Sequence, residues 1–485
     1  MTEKLICQRC TQNEASVISR KETFCDDCFK KFVTLKERKQ LMSDSYYQDI
    51  FKVMYQDKIR NAQEAALQNE QSKILVPLSF GSSSLVMLDI INDSLSEQKR
   101  THRGITGFSV HVITVFRDEN TLQPIKKYIK ELSEVRYSAN KDKITFHVID
   151  INSFCNSSEE LRAMVLHSID FKTHSINSED QSLLSFADYS IKNLLEQCPN
   201  RSSKEDLLSF VIKHVIKKFA FQNDFKAILW GNSMTKVADE IISLVVKGRG
   251  ASIAASLNTT DFDRDYENKF KNLYPMKDIL LSEIDAYCHI FNLYPFMMDY
   301  KIQDTLLLSK FPKQELVQTS KLVKNMTMNE LARKYFDDIE TNYSNVISTV
   351  VRTGEKLAEP KLGEEFINKK CRVCQHCIHY DPSFWLSSIT ETLGHPLESE
   401  DDIYNFKNWE AYMKKTANSS SGVSIKLKKF IENNGDETTL CYGCIVTLNG
   451  IKDRTLIWPN HNDVELNKVL NEYILTDDED ELGGI

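Results

Sequence analysis

Between residues 73 and 250 the chain alternates short apolar runs with longer amphipathic stretches. Short apolar runs are typical of buried strands, and apolar positions that recur every three or four residues are typical of helices. The runs lie at 73–80, 107–116, 144–151 and 226–231. A helix is predicted over 203–224, with Ser202 as N-cap and Glu205 as its capping-box partner. Strands alternating with helices at this spacing predict an α/β fold with a doubly wound, mostly parallel sheet.

Beyond about residue 300 the pattern is helical and predicts no further strand. Thr327 and Glu330 have the spacing of a capping box, and apolar positions at helical spacing follow them. These positions, which predict the core-facing stripe of one long helix, are Leu331, Tyr335, Ile339, Tyr343, Ile347 and Val350. Residues 396–440 are predicted to form a long loop insertion, and the tail after 460 to be disordered.

These changes in pattern predict six segments along the chain. They are an N-terminal zinc-ribbon-like module (1–40), a helical linker (41–72), an α/β domain (73–300), a helical extension (301–365), a C-terminal cysteine-pair zinc module with a loop insertion (366–460) and an acidic disordered tail (461–485).

The composition is that of a globular protein. Among 485 residues, 41% are hydrophobic and 27% are charged, which is enough apolar sequence for several cores. No stretch of eighteen apolar residues predicts a membrane span, and the first residues do not resemble a secretory signal. We therefore expect a cytoplasmic protein without a membrane partner, in which clustered thiols bind metal rather than form disulfides.

Two Cys-x-x-Cys pairs lie close together near the N-terminus, and two more lie far apart near the C-terminus. Cys7/Cys10 and Cys25/Cys28 are separated by residues 11–24. Two such pairs complete a tetrahedral site for structural zinc, whereas a redox role would need both pairs to be reactive. Cys371/Cys374 and Cys441/Cys444 repeat the pattern across residues 375–440.

The ligands of the C-terminal site are less well specified by spacing. Cys377, His376 and His379 are alternative ligands near the third pair, and Cys371, Cys374 and Cys377 could instead hold an iron–sulfur cluster. That alternative leaves Cys441 and Cys444 unexplained, so we favour the two spaced pairs. Three further thiols stand alone on apolar segments and are expected to be buried and inert; they are Cys155, Cys198 and Cys288.

Basic side chains concentrate around the second cysteine pair despite a net charge of −8. Phe24, Phe29 and Phe32 lie among them, and basic residues mixed with aromatic ones suit phosphate contact and base stacking on RNA. The alternative is a solvated surface whose aromatic side chains pack the small module. The candidate tRNA-binding residues are Lys30, Lys31, Lys36, Arg38, Lys247 and Arg249.

The first predicted strand leads into a loop of small residues and then a helix. The loop residues are Ser79, Phe80, Gly81, Ser82, Ser83 and Ser84. A helix N-terminus after such a turn can bind an anion, although an ordinary β–α turn with a serine cap has the same composition.

In context this loop resembles the SGGxDS loop of the PP-loop ATP pyrophosphatases that adenylate and thiolate tRNA. The segment 230–240 is similar to that family's GHNxDDxAET motif, 247–250 to its basic glycine turn, and 273–278 to its RPL segment, with Glu283 as the following acid. Together with cysteine pairs at both ends, the whole pattern resembles the family of partner subunits of the wobble-uridine tRNA thiolase.

The departures from the PP-loop motifs bear on catalysis. Phe80 stands where the active enzymes have glycine, and Ser83 replaces the loop aspartate. Thr235 and Lys236 replace the paired acids, so that Asp239 alone keeps an acid in register. Because Mg²⁺–ATP chemistry needs oxygen ligands, we expect a degenerate nucleotide loop, no catalytic residue and no ATP turnover by this chain.

The resemblance implies a required, non-catalytic subunit of a heterodimeric complex. The family reaction makes 2-thiouridine at the wobble position (mcm5s2U) of Lys, Glu and Gln tRNAs, with sulfur from a thiocarboxylated ubiquitin-like carrier. The implied partners are the catalytic thiolase subunit, tRNA and, indirectly, the carrier. The alternatives are an active ATP-dependent sulfurtransferase and a zinc-ribbon adaptor without an RNA role.

Overall fold

The structure is a computed structural model of the 485-residue chain. It describes residues 5–54, 62–156, 161–166, 173–177, 190–298, 301–308, 323–361, 369–380, 382, 399–419, 436–438, 440–451 and 455–459. The chain forms two compact units, Met1–Ile151 with Val211–Glu359, and Asn152–Phe210 with Pro360–Ile485. No helix within the described ranges is long and apolar enough to cross a membrane. The predicted tail lies outside the described residues.

The first unit begins with a hairpin and helices. Strands β1 (Val17–Ser19) and β2 (Glu22–Phe24) pair antiparallel across Arg20 and Lys21, which both have positive φ, as a two-residue type I′ turn requires. The helices that follow are α1 (Asp26–Leu41), α2 (Ser45–Phe51) and α3 (Ala62–Gln71).

A parallel sheet of five strands follows, and it confirms the predicted α/β class. The strands are β3 (Lys73–Pro77), β4 (Ser109–Phe116), β5 (Ile144–Asp150), β8 (Ala227–Leu229) and β9 (Lys271–Leu273), in the order β5-β4-β3-β8-β9. The helices of this unit are α4 (Ser82–Thr101), α5 (Glu119–Glu131), α9 (Met234–Val246), α10 (Ile253–Leu257), α11 (Leu281–Ile290) and α12 (Met328–Glu355). Because the strand order runs outwards in both directions from β3, the carboxyl ends of β3 and β8 meet at one edge.

Apolar side chains cover both faces of this sheet. Ile74, Val76 and Val110 lie in the main core with residues of α1, α4 and α11. Leu75 and Ile228, which alternate with them, pack on the other face against α8 (Arg201–Gln222). Strands buried on both faces explain the nearly continuous apolar runs in the sequence.

The second unit contains a four-stranded antiparallel sheet that the sequence analysis did not predict. It joins β6 (Leu161–Leu166) and β7 (Thr173–Asn177) with β10 (Asp436–Thr438) and β11 (Thr455–Pro459) in the order β10-β7-β6-β11. Its helices are α6 (Ser153–Asn156), α7 (Ile191–Gln197), α13 (Glu400–Ser419) and α14 (Tyr442–Leu448). The expectation of no strand beyond residue 300 is wrong, since short strands that pair with distant segments leave little local signal.

Two helix predictions need correction, and one is confirmed. The N-cap of α8 is not Ser202, because the carboxamide oxygen of Asn200 accepts from the Ser203 backbone N–H at 2.8 Å. The Thr327–Glu330 capping box is present at the start of α12. The predicted stripe of α12 is partly out of register, because Leu331 and Tyr335 are exposed whereas Phe336 is buried. The long loop predicted within 396–440 contains α13.

Candidate functional site: two cysteine clusters and a loop at the sheet edge

The N-terminal cysteines converge around the β1–β2 hairpin. Cys7 and Cys10 lie on a turn closed by the Thr11 N–H donating to the Cys7 carbonyl at 2.9 Å. Cys25 is the N-cap of α1, and Cys28 lies in its first turn. The four sulfurs lie within 4.8 Å of one another, with Cys10 Sγ 3.8 Å from Cys25 Sγ. The structure thus brings together the four thiols that the spacing predicted.

The electrostatics of this cluster suit a bound cation. Burial opposes ionisation of Cys7, but backbone N–H groups of Cys10 and Cys25 point at its sulfur and lower its pKa to about 6. Burial, together with the neighbouring sulfurs, raises the pKa of Cys28 to about 12. Four thiolates can therefore share this space only when a cation offsets their repulsion.

The C-terminal cluster has the same form but joins distant segments. Gln375, with φ of +63°, closes the turn after Cys371 and Cys374 and donates its N–H to the Cys371 carbonyl at 2.8 Å. Cys441 is the N-cap of α14 and accepts from the Cys444 N–H at 3.4 Å. The sulfurs of all four cysteines lie within 4.8 Å of one another.

The neighbouring candidate ligands lie outside this four-sulfur group. Cys377 is exposed and forms an antiparallel β-bridge with Lys370. His376 contributes its backbone carbonyl, which accepts from the Cys371 N–H at 2.9 Å, and His379 is buried. The geometry therefore groups the two spaced pairs and not the three thiols of the iron–sulfur alternative.

The remaining thiols belong to packed interiors. Cys155, Cys198 and Cys288 are all buried. Burial raises the pKa of Cys198 to about 11, and it also raises the pKa of Cys288. A buried thiol with a raised pKa is a poor nucleophile.

The loop 79–84 connects β3 to the N-terminus of α4. Phe80 adopts φ of +56°, a left-handed conformation that favours glycine, while its side chain is buried in the main core beside Tyr128. The Ser84 hydroxyl donates to the Gly81 carbonyl at 3.0 Å and lies 3.3 Å from the Ser79 hydroxyl. The turn geometry is thus held by the loop's own hydroxyl groups.

The turn after β8 packs directly on this loop. A Cβ atom at Gly231 would lie 2.9 Å from Ser84 Cα, so only glycine permits this approach of the two backbones. The segments that the PP-loop resemblance placed together are therefore adjacent.

The positions that replace the paired acids have structural partners. Thr235 is fully buried, and its hydroxyl accepts from the Leu281 N–H at 3.1 Å. Asp239 is 1% exposed and forms an ion pair with Arg333 of α12, with Nε 2.8 Å from Oδ2. Lys236 Nζ lies 3.4 Å from the other oxygen of Asp239. Sequence reasoning missed Arg333, because a basic residue on an amphipathic helix carries no signal of its buried partner.

Glu283, the acid that follows the RPL-like segment, holds the N-terminal module in place. It is fully buried and accepts from the Ser19 hydroxyl at 2.7 Å and from Arg20 Nε at 2.8 Å. Lys36 Nζ lies 3.6 Å from the same carboxylate and 3.1 Å from the Asp278 carbonyl. Burial opposes ionisation of Glu283, but Lys36 and Arg20 hold its pKa below the usual value.

Most of the basic residues predicted to bind tRNA have partners within the chain. Lys30 pairs with Asp93, Arg38 pairs with Glu97, and Lys36 is buried enough to lower its pKa to about 8. Lys247 Nζ donates to Asn329 Oδ1 at 3.1 Å, Arg249 is buried, and Lys31 is exposed.

The aromatic residues beside them pack the module. Phe24 and Phe29 are buried in the main core, and Phe32 packs against both rings. The expectation that Phe24 and Phe29 stack on bases is therefore wrong.

The parallel sheet, the loop at its edge and the cysteine clusters define an α/β protein that carries two four-cysteine modules. A family model described as cytoplasmic tRNA 2-thiolation protein 2 matches residues 327–446. Proteins of that description are 56% identical in Vanderwaltozyma polyspora (98% of each chain), 51% in Candida glabrata (97% of this chain, 99% of the relative) and 39% in Saccharomyces cerevisiae (98% and 100%). This chain belongs to the cytoplasmic tRNA 2-thiolation protein 2 family, as the motifs predicted, and the family name agrees with a cytoplasmic location.

A solved structure was also found among similar folds. It is the U34-tRNA thiolase NcsA from Methanococcus maripaludis with its [4Fe-4S] cluster, which is 14% identical, with a TM-score of 0.44 over 76% of this chain and 96% of that one.

Proposed function

We propose that this chain is a required, non-catalytic subunit of the complex that makes 2-thiouridine at the wobble position of Lys, Glu and Gln tRNAs. Its family membership supports the tRNA thiolation role. The partner would be a catalytic thiolase subunit, which adenylates the uridine and receives sulfur from a thiocarboxylated ubiquitin-like carrier. This chain would contribute tRNA-binding surface and stability to the heterodimer.

One observation carries the non-catalytic assignment. At the edge where the PP-loop resemblance places Mg²⁺ and ATP, the oxygen ligands are missing or engaged: Thr235 caps α11, and Asp239 is paired with Arg333. Mg²⁺ needs open oxygen ligands in octahedral geometry. The residues present do not fit the ion, and we assign no chemical step to this edge.

Both cysteine clusters fit structural zinc. Four thiols that converge on one point, two of them at the start of a helix, are the donor set of closed tetrahedral zinc sites. Cys7, Cys10, Cys25 and Cys28 would hold one ion, and Cys371, Cys374, Cys441 and Cys444 the other. Each ion would stabilise its own module, with no coordination position left for substrate.

The remaining surface candidates for tRNA are fewer than the sequence suggested. Of the predicted residues, Lys31 is exposed on α1, and Lys39, in the last turn of the same helix, is exposed as well. Each would neutralise one phosphate. We expect Lys31→Glu/Lys39→Glu to weaken tRNA binding by the purified complex and to flatten its salt dependence, as measured by filter binding across a salt series. If the affinity for tRNA and its salt dependence are both unchanged, this surface does not bind tRNA.

The function itself is tested by nucleoside mass spectrometry of bulk tRNA. Cells that lack this chain should lose 2-thiouridine, and the wild-type chain should restore it. Persistence of the thiolated nucleoside without the chain would contradict the proposal and favour an adaptor without an RNA role.

A further inference from the structure

Helix α12 is fastened to the segments that carry the PP-loop-like motifs at several points along its length. Asn329 accepts from Lys247, Glu340 contacts the Ser282 hydroxyl, and Glu355 Oε1 lies 2.7 Å from Lys277 Nζ. Each partner lies on or beside α9 or α11, or in the segment before α11. Helix α12 therefore packs across the segments that carry these motifs.

Between these polar contacts, apolar side chains of α12 pack against α9. Phe336 and Ile347 are fully buried against Val237 and Ala238 of α9. A Cβ atom at Gly354 would lie 2.7 Å from Ile241 Cδ1, so the end of α12 packs directly against the Ile241 side chain of α9.

Helix α12 places one cationic side chain against the buried Asp239 of α9. Arg333 binds a single oxygen of Asp239 through both Nε and Nη2, and Lys236 approaches the other oxygen. Asp239 is 1% exposed, Arg333 is 24% exposed and Lys236 is 40% exposed. A buried carboxylate requires a compensating positive charge, and here two side chains of the protein supply it.

We propose that Arg333 is a built-in cation that takes the place of a divalent ion at this edge. This proposal rests in part on the proposed non-catalytic function, and it adds that Arg333 is the group that excludes the divalent ion. Arg333 is thus a positioning residue: it fixes Asp239 and, through α12, the relative placement of α9 and α11. Because Arg333 belongs to the chain itself, this edge would keep its structure without a bound metal ion.

The test measures cation binding directly, with the full chain and Mn²⁺ alone as the probe. In Lys236→Asp/Arg333→Met, two carboxylates face each other without an internal cation, so we expect saturable Mn²⁺ binding by electron paramagnetic resonance and a rise in melting temperature with Mn²⁺. The matched control is Lys236→Asp/Lys334→Met, in which the neighbouring lysine is changed and Arg333 stays. We expect neither this control nor the wild type to bind Mn²⁺ in this way.

Equal Mn²⁺ binding by the control, or none by the folded Arg333 variant, would overturn the proposal. A second set of variants decides the matter if the first does not fold. Arg333→Met alone should lower the melting temperature, and Asp239→Asn/Arg333→Met should recover most of it, because the neutral pair leaves no uncompensated charge. Additive effects of the two substitutions would count against the proposal.

A failure of this proposal can be told apart from a failure of the proposed function. The Mn²⁺ experiment does not depend on thiolation, and loss of 2-thiouridine in cells without the chain does not depend on Arg333.

Discussion

The two cysteine clusters present the same four ligands but are assembled over different distances along the chain. The N-terminal cluster closes within Cys7–Cys28 around one hairpin, whereas the C-terminal cluster joins Cys374 to Cys441. The first module is also tied to the α/β unit through buried Glu283. We infer that the N-terminal site stabilises a module whose residues are close together in the sequence. The C-terminal site connects segments that are far apart in the sequence, so the second unit depends on it more strongly.

The largest effect is expected from breaking the C-terminal cluster. Cys444→Ser should release zinc and unfold the second unit, because structural zinc supplies folding free energy and the two cysteine pairs of this cluster lie far apart in the sequence. Hydrogen exchange should rise in β6, β7, β10 and β11 and stay unchanged in β3 and β4. Metal analysis should fall from two zinc ions per chain to one.

The matched variant at the other cluster is Cys7→Ser. It should also lose one zinc ion, but with exchange confined to the hairpin and the start of α1, since Lys30, Arg38 and Glu283 still hold this helix. Equal and global loss of structure in both variants would contradict the difference between the clusters.

A smaller effect should follow from breaking the attachment of the N-terminal module. Glu283→Gln leaves Arg20 and the partly buried Lys36 without their carboxylate, which should cost about 3 kcal/mol of the free energy of unfolding. Because the folded pKa of Glu283 is depressed, its contribution is present above the unfolded value and is lost as pH falls through the folded one. Chemical denaturation at several pH values measures both.

The control for this variant is Glu22→Gln. Glu22 pairs with Arg9 on the surface, where both side chains are about half exposed, so the cost should stay below about 1 kcal/mol. If the two variants are equally stable, Glu283 does not anchor the module.

A change in the pH dependence of stability, rather than a loss of stability at one pH, is expected at Glu37, on the side of α1 that faces the core. It is fully buried, neither of its oxygens has a hydrogen-bond partner within the described part of the chain, and burial raises its pKa to about 8. The folded protein therefore keeps a proton that the unfolded chain loses above about pH 4.3, and stability falls by up to about 1.4 kcal/mol per pH unit between the two values. Glu37→Gln should reduce this slope, as followed by thermal unfolding from pH 5 to 9. An unchanged slope would show that Glu37 does not titrate in this range.

Local chemistry made much of the molecule predictable from sequence. Cys25 and Cys28 start a helix beside the first pair, and Thr327 caps α12, because neighbouring residues decide both features. Four strands of the parallel sheet, β3, β4, β5 and β8, were also predicted, since burial on both faces leaves an apolar run, whereas the short β9 was not.

Features that depend on distant partners were not predictable in the same way. The pairing of β11 with β6 joins residues almost three hundred positions apart, and nothing near Asp239 indicates Arg333. Phe29 looked like a base-stacking residue because composition does not show which side of a helix is buried. The segment boundaries and the metal in each cluster remain predictions.

In the proposed function this chain supports thiolation without carrying out its chemistry. The most direct measurement is the 2-thiouridine content of tRNA in cells whose only copy of this chain is Ser83→Ala/Lys236→Ala. Both side chains are partly exposed at the loop edge, at positions where the PP-loop resemblance places catalytic acids. The account predicts 2-thiouridine at the wild-type level. Its loss, with the variant folded and present in normal amount, would show that the loop edge takes part in the reaction and would contradict the account.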